Sequence, residues 1–138
     1  MILTERTWRH AETDDDLIAC HPVMHELRPM VQTPQAFLER VRAQRPQGWH
    51  LLAEWQGAEP VALAGYRFMD NLVHGRFLYV DDLVTAATAR GGGAGARLLA
   101  EIERIARARG CGKLVLDSEA IAHAWTEAWC GRSQALAA

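Results

Sequence analysis

The run Arg90-Gly91-Gly92-Gly93-Ala94-Gly95-Ala96 is the stretch of this chain best equipped to hold a ligand. Glycine lets backbone N–H groups come close to a bound group, and a helix N-terminus concentrates about half a positive charge, so glycines leading into a helix favour phosphate. Just upstream, Tyr79, Asp81 and Asp82 offer a phenol and two carboxylates, groups that pass protons in catalysis. A carboxylate held by an arginine is an equally good use of either aspartate, and a packing role is the more ordinary use of Tyr79. Side chains alternate along a strand, so one of Asp81 and Asp82 is expected to face inward and the other outward.

Two phosphate-binding signatures can be weighed on the letters. A P-loop is excluded, since no Gly-Lys-Ser/Thr follows the glycines. A dinucleotide fingerprint survives in form: Gly91, Gly93 and Ala96 satisfy G-x-G-x-x-G/A, and Asp117 lies about twenty residues on. That fold requires successive strand–helix units with the glycines tight against a strand end, and the flanking elements do not supply them.

Those elements read clearly. Residues 7–11 suit a short strand. Thr13, with Asp14, Asp15 and Asp16 behind it, opens a helix carrying Leu17, Cys20, Met24 and Leu27 to about Arg28-Pro29. Thr33 as cap and Pro34 at the first position start a second helix that ends before Pro46. Residues 50–55 and 61–68 form a hairpin around Gln56-Gly57, and the β-branched and aromatic stretch beginning at Phe77 is a third strand, ending near Val84. After the glycines, Ala94, Leu98, Leu99, Ile102, Ile105 and Ala106 keep the 3.6-residue period of a helix from about 93 to 109, and 113–116 is a further strand. The order is β-α-α-β-β-β-α-β, followed by a helical stripe of Ile121, Trp125, Ala128 and Trp129. The class is α/β of the α+β type: a mixed, mostly antiparallel sheet with helices on both faces and one right-handed parallel crossover.

At 138 residues the chain makes one domain, 1–138. A net charge of −2 argues against nucleic acid or an anionic membrane as a partner. Three cysteines without CxxC spacing, and no apolar run long enough to span a bilayer, make a reduced cytoplasmic setting the expectation. Cys20, His21 and His25 share a helix face but lack a fourth ligand, so no metal site is expected. His74 reads as a solvated loop residue, with lining a substrate cleft as its other use. Met24, Met30 and Phe37 read as packing residues that also suit an acceptor pocket.

Arg90-x-x-Gly93-x-Gly95, five residues after Thr85 and followed by Leu98-Leu99, resembles the acyl-CoA pyrophosphate loop of the GNAT superfamily of N-acetyltransferases. The stretches from Leu78 to Thr85 and from Leu114 to Ser118 look like small bacterial members, and the resemblance spans about residues 7–118. It implies that main-chain groups of Leu83, Val84 and Thr85 pair with the pantetheine arm of acetyl-CoA, and that an N–H near Leu83 or Val84 polarises the thioester carbonyl. It implies further that Gly91, Gly92, Gly93, Ala94, Gly95 and Ala96 cradle the pyrophosphate while Arg90 guards the loop, and that one of Asp81 and Asp82 is the base, with Tyr79 a possible acid. Gly92 stands where members often carry a basic residue.

Beyond Ser118 the likeness stops. The family's tyrosine-bearing helix and final two strands have no counterpart in 119–138, whose end reads as a frayed tail without a strand. The strand at 113–116 is therefore expected to have an open edge, covered by the Trp125/Trp129 helix or by a homodimer partner. The abrupt change also fits a reading-frame shift near codon 119. The expected function is acetyl-CoA-dependent transfer of an acetyl group to a primary amine of a small molecule or peptide, by direct attack in a ternary complex. The alternatives are a catalytically impaired acyl-CoA-binding module and, ranked lower, an NAD-type oxidoreductase.

Overall fold

Two threonines start the first two helices. Thr13 Oγ1 accepts from Asp16 N–H at 3.1 Å and opens α1 (Asp14–Leu27), whose three leading aspartates suit the positive helix end. Thr33 Oγ1 accepts from Ala36 N–H at 3.0 Å and opens α2 (Pro34–Gln44), with proline where its missing N–H costs nothing. The computed structural model describes residues 5–116 and 133–135. Its strands are β1 (Arg6–His10), β2 (His50–Gln56), β3 (Glu59–Asn71), β4 (Gly75–Thr85), β5 (Lys113–Leu116) and β6 (Ser133–Ala135), and α3 (Ala94–Ala108) links β4 to β5.

The six strands lie side by side in chain order. Every neighbouring pair is antiparallel except β4 and β5, which are joined through α3. A sheet with a single parallel pair is not a dinucleotide-binding fold, so that alternative falls. Alternation along β2 divides the core. Leu51, Ala53 and Trp55 pack with α1 and α2 through Leu17, Met24, Phe37 and Val41, whereas Leu52 faces the stripe of α3. Leu98 and Ile102 of that stripe are wholly inaccessible, each contributing about 1.5–3 kcal/mol of hydrophobic stabilisation.

Alternation slips once on β4. Gly65 pairs with Asp82 and Tyr66 with Val80, so Asp81 is an extra residue, a β-bulge. Leu78 and Val80 face α3 before it and Leu83 faces α3 after it, an odd step that strict alternation forbids. The expectation that Asp81 and Asp82 point to opposite faces is thereby corrected: both line one cavity on the α1–α2 side, with Tyr79.

The tail needs a second correction. Ser133–Ala135 forms a strand, not a frayed end, and pairs antiparallel with residues 113–115, covering that part of the β5 edge. Three small and polar residues carry too little pattern to be recognised in a sequence. The helix expected around Trp125 and Trp129 lies outside the described residues, as does Asp117.

Opposite the bulge, Gly65 is required by space rather than by backbone angle. A Cβ there would sit 2.6 Å from Asp82 Oδ2 and 2.7 Å from Trp49 Cζ2. Gly65→Ala is expected to cost about 1–3 kcal/mol in urea unfolding, the range for an overpacked core; an unchanged midpoint would mean that the two side chains yield freely.

Candidate functional site

Among the described residues β4 pairs with β5 over residues 77–80, and it continues against β3 to Thr85. Ala86 N–H donates to Val61 O at 2.8 Å, which fixes the phase of the antiparallel ladder. In that phase Val84 and Asp82 exchange hydrogen bonds with β3, while the main-chain N–H groups of Leu83 and Thr85 point to the β5 side, past the last β4–β5 pair. Thr85 Oγ1 is buried there without a hydrogen-bond partner among the described residues. An edge of this kind accepts an extended ligand as though it were a strand.

The glycine loop follows directly. Gly91 (φ 86°) and Gly93 (φ 79°) adopt the left-handed conformation that disfavours other residues, and open space lies where a Cβ on Gly91 would be. Gly93 caps α3 without a side-chain hydrogen bond, and no acidic residue occupies the first turn. Ala94 and Gly95 are buried against the sheet, whereas Gly91, Gly92, Gly93 and Ala96 are exposed. Arg90 folds back instead of standing over the loop: Nε donates to Thr85 O at 3.2 Å and Nη2 to Glu26 at 2.8 Å, the same carboxylate that accepts from Ala87 N–H.

A further tie holds the loop from behind. Glu54 projects from β2 toward α3 with a side chain only 1% exposed, and Arg97 grips it with two bonds of 3.1 Å. The same guanidinium donates to Gly92 O at 2.7 Å. A buried carboxylate thus fixes an arginine that fixes the loop, with Arg6 more distant at 3.6 Å. No sequence motif pointed to Glu54 or Arg97, because they meet only when β2 and α3 pack.

On the α1–α2 side a cavity of about 520 Å³ lies over the bulge. Tyr79, Asp81, Asp82 and Trp49 line it from the sheet side, and Met24, Arg28, Met30 and Phe37 from α1, α2 and their connection. Of the sequence-derived candidates, therefore, the two aspartates, Tyr79 and the three apolar residues do converge. Each carboxylate also has a cation. Arg67 holds Asp81 through bonds of 2.9 and 3.2 Å, and Arg28 Nε donates to Asp82 Oδ1 at 2.9 Å while Nη2 donates to Asp81 O at 2.8 Å. Burial pushes the Asp82 carboxyl above its ordinary range; Arg28 opposes that shift and neighbouring Asp81 reinforces it. Trp49 Nε1 lies beside the same carboxylate without meeting hydrogen-bond geometry.

Other candidates are placed elsewhere. His21 Nε2 and His25 Nδ1 donate to Val31 O at 2.8 and 3.1 Å, steadying the α1–α2 connection, and burial raises the Cys20 thiol to about 12. Among the described residues no three metal-ligating side chains converge. His74 accepts from Lys113 Nζ at 3.2 Å and packs on Phe77, away from the cavity.

The Glu54–Arg97 pair yields a stability test. Arg97→Ala strands a buried carboxylate and is expected to cost about 3–5 kcal/mol in urea unfolding, whereas Glu54→Leu with Arg97→Met is expected to recover most of that loss. Equal losses in the single and double variants would show that the charge pairing does not matter.

The model of the acetyltransferase (GNAT) family matches residues 8–131. A Staphylococcus aureus GNAT family acetyltransferase superposes with a TM-score of 0.68 at 18% identity, covering 82% of this chain and 86% of its own. Glucosamine-6-phosphate N-acetyltransferase from Arabidopsis thaliana gives 0.65 at 17%, covering 82% of each chain. A Clostridium acetobutylicum protein, described as a predicted acetyltransferase with acetyl-CoA, gives 0.62 at 17%, covering 81% and 80%. At such identities these structures speak for the fold alone. No curated protein matches. With the family model spanning both the end of β4 and the glycine loop, the chain belongs to the GNAT family of acetyltransferases.

Proposed function

We propose that the protein transfers an acetyl group from acetyl-CoA to a primary amine of a small molecule or peptide, by direct attack within a ternary complex. The observation that carries this reading is the junction of two surfaces at the bulge. The β4 edge at Leu83 and Thr85, which has no strand partner among the described residues, lies on one side, and the cavity holding Tyr79, Asp81 and Asp82 on the other. Acetyl-CoA supplies an activated acyl group and a thiolate leaving group. The chain's features suit it: the orphaned Thr85 Oγ1, the outward N–H groups of Leu83 and Thr85, and exposed glycines whose N–H groups face no side-chain cap.

Within this reading Leu83, whose N–H is not used by β3, stabilises the developing oxyanion, and Thr85 aligns the pantetheine arm. The N–H groups of residues 91–96 hold the pyrophosphate, while Arg90 steadies the loop through Thr85 O and Glu26. Asp82 takes the ammonium proton, because burial raises its carboxyl and so favours its accepting a proton. Asp81, held at both oxygens by Arg67, keeps the bulge in register. Tyr79 is assigned the return of a proton to the thiolate.

One observation favours a second reading, an acyl-CoA-binding module without turnover: both carboxylates already carry an arginine partner. The two readings separate in one experiment. Wild-type protein with acetyl-CoA and a panel of amines is expected to release free thiol. Asp82→Asn is expected to lower kcat by about 100-fold while changing acetyl-CoA affinity less than about twofold. Binding without thiol release for every amine would favour the module, and an unchanged kcat in Asp82→Asn would remove that residue as the base.

A further inference from the structure

A second cavity, of about 320 Å³, lies apart from the glycine loop and is not used by the proposed transfer. It is built where α3 ends. Ala108 is the last helical residue, so the sheet surface carrying the ends of β1 and β2 and the middle of β3 extends past its cover. Strand register assembles a row of rings there. His50 is the cross-strand partner of Tyr66, and the two rings stack at 5.3 Å and 30°. His10 Nε2 meets Tyr66 Oη at 2.7 Å, and Phe68, two residues along β3, sits edge-on to both Tyr66 and His50.

The charges around this floor are unequal. Arg109 lies 4.9 Å above the Phe68 ring, and Arg45 flanks the cavity with one nitrogen donated to Glu12 O at 2.7 Å. Glu12 supplies the one carboxylate in the lining, against two guanidinium groups. Glu101, outside the lining but acting on His10, is held by Arg104. Burial lowers both His10 and His50, with their mutual repulsion adding at His10 and Arg109 adding at His50 while Glu12 opposes at both, so the neutral imidazole, a flat polar ring, is favoured. An aromatic floor beside excess guanidinium suits a ligand with a ring to stack and an anion to pair. Arginine is well matched to a carboxylate, which it can hold through two parallel bonds.

We propose that this cavity is a second binding site, separate from the acetyl-transfer site, for a small aromatic carboxylate. The ring lies against His50, and the carboxylate pairs with Arg109, which with Arg76 already covers the Phe68 ring, and with Arg45. His10 and Tyr66, tied to each other, form the wall that limits the size of the ring.

The test is a benzoate titration of the full chain, followed through the imidazole Cε1–Hε1 resonances of His10 and His50 by NMR, with and without saturating acetyl-CoA. Benzoate is expected to shift both histidines saturably, with Kd on the order of 1 mM or tighter, and acetyl-CoA is not expected to displace it. Arg109→Ala is expected to weaken binding at least about fivefold, and cyclohexanecarboxylate, which has the charge without the flat π face, is expected to bind weaker by a similar factor. His50→Ala, a change on the exposed side of the row, provides a second variant with the same expected loss. Absence of a saturable shift up to about 20 mM benzoate would overturn the proposal. So would equal binding of the two acids, undiminished binding in both variants, or displacement by acetyl-CoA.

Discussion

The extra residue at Asp81 sets the geometry on which the candidate site rests. Without it, β4 would keep strict alternation, and Asp81 and Asp82 would point to opposite faces of the sheet. With it, Leu78, Val80 and Leu83 all reach α3, both aspartates reach the cavity beneath α1 and α2, and the ladder phase turns the Leu83 and Thr85 amides away from β3. A bulge also strengthens local twist, and the last β4–β5 pair among the described residues, at Val80, comes immediately before it. Gly65 is the condition for this arrangement, since the space of its missing side chain is filled by Asp82 and Trp49.

Arginine organises the surroundings of that bulge. Arg28 reaches from the end of α1 to Asp82 and to the Asp81 carbonyl, Arg67 crosses from β3 to Asp81, and Arg90 joins the end of β4 to Glu26. Arg97 does the same for the glycine loop through Glu54. Exposed ion pairs of this kind add little stability, but those to Glu54 and Asp82 are different because their carboxylates are almost fully buried. Breaking such a pair leaves an uncompensated charge, so these contacts restrict the loop and strand to one arrangement. Family membership accounts for the scaffold on which these arginines sit.

The elements were legible where one local mechanism decided them. Thr13 and Thr33-Pro34 announced the starts of α1 and α2, and the leucine and isoleucine spacing announced the buried face of α3. The glycine run was legible as the loop that leads into α3. What sequence hid was non-local. Arg28 and Asp82 are 54 positions apart and Glu54 and Arg97 are 43 apart, so no spacing rule joins them. The bulge left one faint sign, a glycine inside a strand, and β6 was too short for any periodicity.

The central claim is that Leu83 and Thr85, and not Val84, present their amides to the acyl-CoA arm. Amide hydrogen exchange resolved by residue, with and without acetyl-CoA, tests it most directly. Val84 N–H is expected to be protected in both states, whereas Leu83 and Thr85 are expected to exchange fast alone and to slow sharply when acetyl-CoA is added. Unchanged exchange at Leu83 and Thr85 under saturating acetyl-CoA would contradict it and would place the cofactor elsewhere on the molecule.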